Sequence, residues 1–185
     1  MKQKTRTMTR AAIMIALATT LSFFKIMDLP TGGSITLGSM IPIVLISYMM
    51  DFKGAILTSF VYSLLQMMLQ GIATPPTENF MWYMLVILLD YVIAYTVLGL
   101  AGTLTRKISN ITAKVISGSV IVLILRFVCH FISGILIWGV YAPEGQSVYL
   151  YSLLYNGSYM LGELVITVII MSLITNASFI KKEIK

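Results

Sequence analysis

Six apolar runs, separated by short polar breaks, dominate the pattern of the chain. They lie near residues 9–27, 35–50, 54–72, 80–104, 113–141 and 149–176. A helix needs about 20 mostly apolar residues to cross hydrocarbon, and five of the runs meet that length. The second is shorter, polar at its start ("TGGSITLGSMIPIVL") and carries Pro42 inside. A short or broken helix is tolerated at membrane depth where it is buried in protein or lines a cavity. The breaks "GIATPPTEN" and "YAPEGQS" have the Pro, Gly and Asn content of turns. No internal repeat and no low-complexity tract interrupts the pattern. The expected fold is all-α, a single domain over residues 1–185 built as a bundle of six transmembrane helices.

The basic residues then orient the bundle, because loops on the cytoplasmic side carry the excess of Lys and Arg. Lys2, Lys4, Arg6 and Arg10 precede the first run, and Lys53 lies between the second and third. Arg106, Lys107 and Lys114 lie between the fourth and fifth, and Lys181, Lys182 and Lys185 follow the sixth. The opposite side holds Lys25 with Glu78 and Glu144. Both termini are therefore expected in the cytoplasm of a multi-pass membrane protein. The first run follows a basic stretch, as in a signal peptide, but no small-residue cleavage site comes after it, and it is read as a retained span.

Composition agrees with this pattern and removes several function classes. The chain is 58% hydrophobic and 11% charged, where a soluble domain carries about a quarter charged residues. No room is left for a separate soluble catalytic domain. The net charge of +6 flanks the apolar runs instead of forming a patch interleaved with aromatics, so nucleic acid is not an expected partner. The lone Cys129 sits in an apolar run and reads as a small buried residue. There is no phosphate-cradling glycine loop, so ATP hydrolysis by the chain itself is not expected. No HExxH and no Cys or His cluster suggests a metal, no serine elbow is present, and no cofactor is expected.

Four ionisable residues lie inside apolar runs: Asp90, Arg126, His130 and Glu163. Such a group costs about 2.5–3.5 kcal/mol at the centre of a span on insertion scales, which makes each a functional candidate. Arg126, His130, Gly134 and Trp138 recur at steps of four along the fifth run, a slowly rotating stripe at 3.6 residues per turn. The stripe reads as a pocket wall, with Gly134 allowing close approach to the backbone. Trp138 taken alone reads equally as an interfacial belt residue, and His130 alone as a packing residue. Tyr83, Asp90 and Ala94 share a face of the fourth run, beside Tyr91 and Tyr95. Asn156 and Glu163 share a face of the sixth, near Tyr151, Tyr155 and Tyr159. Asp90 needs a positive partner or a hydrogen-bond network in hydrocarbon. Arg126 is one such partner and a cationic ligand is another, with Trp138 and the tyrosines supplying aromatic faces. Glu163 pairs with Arg126 or is solvated from a cavity. Two further classes stay open on these residues: an intramembrane enzyme using Asp90 and His130 as acid and base, and a proton-coupled carrier titrating Asp90 or Glu163. Carriers commonly contain repeats of opposite topology, which the chain lacks.

With these residues placed, the chain resembles the thiamine-specific S components of energy-coupling factor (ECF) vitamin transporters. The resemblance runs through "AAIMIALATTLSF", "SITLGSMIPIVL", "LLDYVIAYTVLGLAG", "RFVCHFISGILIW" and "YSLLYNGSYM". It implies a substrate-binding set of Asp90, Tyr91, Arg126, His130, Gly134, Trp138, Tyr151 and Asn156. It also implies a small-residue pair, Ala12 and Ala16, that docks on a transmembrane coupling subunit working with two ATPases. The implied activity is capture of thiamine, or a related precursor or cationic heteroaromatic vitamin, at the outer face of a bacterial cell membrane. Two features depart from the family pattern. Asp90 stands where a glutamate is usual, and neither "DLPTGGSITLG" nor the third run carries a tryptophan.

Overall fold

The computed structural model describes residues 2–29, 32–77 and 79–184. Glu78 and Lys185, used above for orientation, lie outside them, as do the side chains of Lys2 and Lys4. Helix α1 (Lys2–Phe23) is followed by a hairpin, β1 (Lys25–Asp28) and β2 (Ser34–Thr36), and a short helix α2 (Ile41–Ile46). Then come α3 (Phe52–Gln70), α4 (Phe80–Leu104), α5 (Ile111–Leu136), α6 (Val148–Ile174) and α7 (Ser178–Glu183). Four of these, α3 to α6, are long and apolar enough to cross a membrane. Their outward residues, such as Leu57, Leu88, Ile124, Leu154 and Leu173, are exposed. An apolar exterior of that extent has no place in water and suits lipid.

The hairpin is the departure from the expected all-helical chain. The first run was read as helical to residue 27, but α1 stops at Phe23 and the next residues pair antiparallel, Met27 with Ile35 and Asp28 with Ser34. Gly32 and Gly33 take φ of +93° and +87°, which only glycine adopts freely, and reverse the chain. The hairpin packs along one face of α6. Tyr155 donates its hydroxyl to the Gly32 carbonyl, Tyr159 lies against Gly33, Ile35 against Gly162, and Thr36 meets Glu163.

The second run is also not one continuous long helix. Residues 38–49 are buried throughout, and only six of them are helical. Pro42 falls in the first turn of α2, where its missing N–H costs nothing. A helix apolar on all sides belongs at the centre of a bundle. Ile43, Val44 and Ile46 of α2 indeed pack among Ala18, Tyr62, Leu98, Val115 and Met171. In lipid, helices associate through close packing and hydrogen bonds more than through apolar burial, and glycines permit that closeness here. A Cβ on Gly102 would strike the Ser47 carbonyl, and one on Gly99 the Ala55 carbonyl. The N–H of Gly102 donates to Ser47 Oγ at 3.0 Å.

Side-chain caps set two of the long helices: Asn79 accepts from Trp82 N and Asn110 from Ala113 N. Helix α5 ends at Leu136, five residues short of the expected 141. Arg10 pairs with Glu183 at 2.7 Å, so the start of α1 and the end of α7 lie together. On α1, Ala12 and Ala16 are exposed while Ala18 is fully buried.

The packing around α2 makes a direct prediction. Gly102→Ala should destabilise the protein by about 1–3 kcal/mol through overpacking, despite alanine's better helix propensity. Gly157→Ala, which meets only Phe127 at 4.0 Å, should leave stability unchanged or slightly raised. Thermal unfolding of the two variants in detergent checks the contrast, and equal midpoints would mean that α2 yields easily.

Candidate functional site

Polar residues of α4, α5 and α6 meet at the end of the bundle opposite the paired termini, those of α5 and α6 buried and Asp90 of α4 half-buried. Around them lies a cavity of about 160 Å³, closed on its other sides by the hairpin, the end of α1 and the end of α3. All eight residues nominated above as substrate-binding line it: Asp90, Tyr91, Arg126, His130, Gly134, Trp138, Tyr151 and Asn156.

Asp90 is the hub. Residues 87–93 of α4 form a π-helical segment, a widened turn that recurs at functional sites, and Asp90 projects from it. Its Oδ1 lies 3.1 Å from His130 Nδ1. Its Oδ2 accepts from Ser133 Oγ at 2.7 Å and from Trp138 Nε1 at 3.1 Å. An ionised carboxylate can only accept, so His130 donates to it from Nδ1–H and turns Nε2 to the cavity. The ion-pair partner considered for Asp90 was Arg126; the structure pairs Asp90 with His130 instead.

Trp138 reaches Asp90 by a different route from the one expected. It was placed on a continuous helical stripe, but α5 has already ended at Leu136. Ile137 N and Trp138 N both return to the Ser133 carbonyl, at 2.8 and 3.4 Å. The turn drops the indole beside Ser133 Oγ, which it also bonds at 3.1 Å. The true helical stripe is Arg126, His130 and Ser133, at i, i+4 and i+7. Ser133 was missed, although that spacing alone marks it. Gly134 serves a packing need as well as lining the cavity: Ser152 and Asn156 of α6 occupy the space a Cβ would take.

Arg126 is buried and lies over the Tyr95 ring, with its guanidinium carbon 3.8 Å from the centroid. Among the described residues its Nε and Nη1 have no hydrogen-bond partner. The same is true of His130 Nε2 and of Glu163 Oε2. Glu163 does not pair with Arg126; its Oε1 accepts from Thr36 N at 2.6 Å and from Thr36 Oγ1 at 2.7 Å.

The remaining walls are aromatic or amide. Tyr151 and Tyr155 stack at 5.7 Å, and Tyr159 meets Tyr155 edge-on and donates to Asn156 Oδ1 at 2.9 Å. Tyr91 accepts from Ala73 N at 3.0 Å, tying the loop after α3 to α4. Gln66 and Gln70 converge on Ser22 Oγ at 3.2 and 3.0 Å. Tyr95 and these three polar residues belong to the lining but were not nominated from sequence.

Residues 8–182 match the family described as thiamine transporter protein. The chain belongs to that family. It is 31% identical over 175 residues to the thiamine transporter ThiT of Bacillus subtilis, a match covering 88% of this chain and 86% of that protein. It is 30% identical over 144 residues to ThiT of Lacticaseibacillus paracasei, covering 73% and 70%. A solved structure of ThiT from Listeria monocytogenes superposes with a TM-score of 0.75 at 25% identity, covering 95% of this chain and 96% of that one. This family's relatives are named as transporters, a non-enzymatic function, and the reading of Asp90 and His130 as a catalytic acid–base pair falls away. Family membership and apolar helices together make this a membrane protein.

The Asp90 hub makes the energetics of Asp90 and Trp138 interdependent. In ligand-free protein, a double-mutant cycle of Asp90→Asn and Trp138→Phe should give a coupling of about 0.5–3 kcal/mol in unfolding free energy. Additive effects would return Trp138 to the role of an interfacial belt residue.

Proposed function

We propose that this chain is the substrate-binding subunit, or S component, of an ECF importer, and that it captures thiamine in the cavity around Asp90. The observation that carries the reading is the chemistry left open in that cavity. Asp90 and Glu163 bring two carboxyl groups to the cavity against the single guanidinium of Arg126. Polar atoms without a partner among the described residues, His130 Nε2 and Glu163 Oε2, face the interior beside aromatic rings. Thiamine combines a permanent thiazolium charge with an aminopyrimidine that donates hydrogen bonds, and rings of both kinds stack on tyrosine and tryptophan. A related precursor or another cationic heteroaromatic vitamin is the second reading, favoured by the short reach of Asp90.

The chain sits in the bacterial cell membrane as a six-helix bundle with both termini cytoplasmic. The joined ends of α1 and α7 carry Arg6, Arg10, Lys181 and Lys182, consistent with a cytoplasmic side. The cavity lies at the other end, so capture is from outside. Release inward then needs a transmembrane coupling subunit and two ATPases, because a ligand held by a buried charge leaves only when the site is rearranged. The exposed pair Ala12 and Ala16, one turn apart, offers the close helix contact that a coupling subunit would use.

Mass spectrometry of the purified protein should find thiamine co-purified and chemically unchanged; a transformed product or a different ligand would reassign the site. Asp90→Asn should weaken thiamine binding about ten- to a hundredfold, the loss of one charge-assisted hydrogen bond from a desolvated site. Titration by intrinsic fluorescence measures it, and unchanged affinity would leave Asp90 a structural residue. Replacing both Ala12 and Ala16 with Trp should spare thiamine binding by the isolated protein and abolish uptake in cells that supply the coupling subunits. Full uptake would place the coupling surface elsewhere.

A further inference from the structure

The inner end of the cavity has a composition that Asp90 does not explain. Helices α5 and α6 pack along each other, and Arg126 of α5 and Glu163 of α6 both line the cavity, each the lining residue of its helix farthest in sequence from the connection between them. Both are buried, at 7% and 1% relative exposure. Arg126 presents Nε and Nη1 without partners, and Glu163 presents Oε2 without one. They form no direct ion pair, although opposite charges facing one cavity attract strongly at low dielectric. Glu163 is held back instead by Thr36 of the hairpin, through both the N–H and the hydroxyl.

A buried guanidinium with two open N–H groups, standing alone in a cavity, would be a trap for phosphate or carboxylate. The open carboxylate oxygen of Glu163 in the same cavity reverses that preference. An anionic group carries acceptors only, and turning them to Arg126 would set them lone pair to lone pair against Glu163. A hydroxyl carries one donor and two lone pairs, so it can donate to Glu163 Oε2 while accepting from Arg126. We propose that Arg126 and Glu163 form a hydroxyl-selective subsite, and that Glu163 is the residue by which the cavity prefers a free alcohol over its phosphate ester. The inference rests on the thiamine reading, since thiamine ends in a hydroxyethyl group whose phosphorylation gives thiamine monophosphate.

Glu163→Gln tests it with little disturbance of the fold. The amide oxygen still accepts from both Thr36 donors, while the charge is gone and an N–H₂ takes the place of Oε2. Unmodified protein, titrated with thiamine and with thiamine monophosphate, should prefer thiamine. In Glu163→Gln the ratio of the two affinities should move towards the monophosphate by about ten- to a hundredfold, because like-charge juxtaposition has been removed. Glu163→Asp keeps the charge and should keep the preference even where affinity for both ligands falls. A parallel loss for both ligands in Glu163→Gln overturns the subsite and leaves Glu163 as an anchor for the hairpin. So does an unmodified protein that binds thiamine but favours the monophosphate. If the unmodified protein binds no thiamine, the functional reading fails and the subsite with it.

Discussion

A carboxylate inside an apolar bundle must be surrounded by donors, and the arrangement of Asp90 sets much else in this protein. Its two oxygens draw on three side chains, all from α5 and the turn that ends it. That network fixes the rotation of α4 against α5, the orientation of the His130 ring and the placement of the Trp138 indole. It also gives α4's widened turn a purpose, because the π-helical segment is where Asp90 leaves the helix. Removing any one donor would leave a half-buried carboxylate short of a hydrogen bond, which costs more than losing a contact at the surface.

The rest of the bundle is divided between a closed half and an open half. In the closed half, the fully buried α2 fills the centre, and Gly102 of α4 brings that helix's backbone against Ser47 at the end of α2. In the open half the place of such a helix is taken by the hairpin, which lies along α6 instead of filling the interior. The two strands keep their backbone groups paired with each other, the condition for non-helical chain at membrane depth. Glu163 and Tyr155 then hold the hairpin in place by its own backbone atoms. The cavity is the volume left between the hairpin and the ends of the helices.

The two departures from the family pattern have structural counterparts. Aspartate in place of glutamate shortens the acidic arm by one methylene, and here the carboxylate is drawn towards α5 and the turn that ends it. The tryptophans missing from the hairpin and from α3 leave walls that are polar, with Gln66, Gln70 and Ser22 bonded to one another. Aromatic surface comes instead from Trp138 and the tyrosines of α6. A ligand in this cavity therefore meets rings on one side and amides on the other.

Much of this was legible in the linear pattern. The apolar runs located α3 to α6 to within a few residues, because burial in lipid requires long uninterrupted apolar helices and few other sequences supply them. Ionisable residues inside those runs marked the cavity, since each is too costly to retain without a partner. Helical spacing placed Arg126 and His130 on one face. The hairpin and the short α2 were not legible as such, because "KIMD" follows α1 with no Gly or Pro between and "IPIVLI" is as apolar as the spans beside it; what sets α2 apart is whether the neighbouring helices close around it. Which ion meets which was equally beyond the pattern. Asp90 had Arg126 as an apparent partner by charge alone, yet it bonds His130, Ser133 and Trp138, and Glu163 bonds a backbone N–H of the hairpin. Charge and period constrain which residues can face the interior; only the packed crossing of α4, α5 and α6, fixed by glycine contacts and a helix end at Leu136, decides the few ångströms on which hydrogen bonds depend.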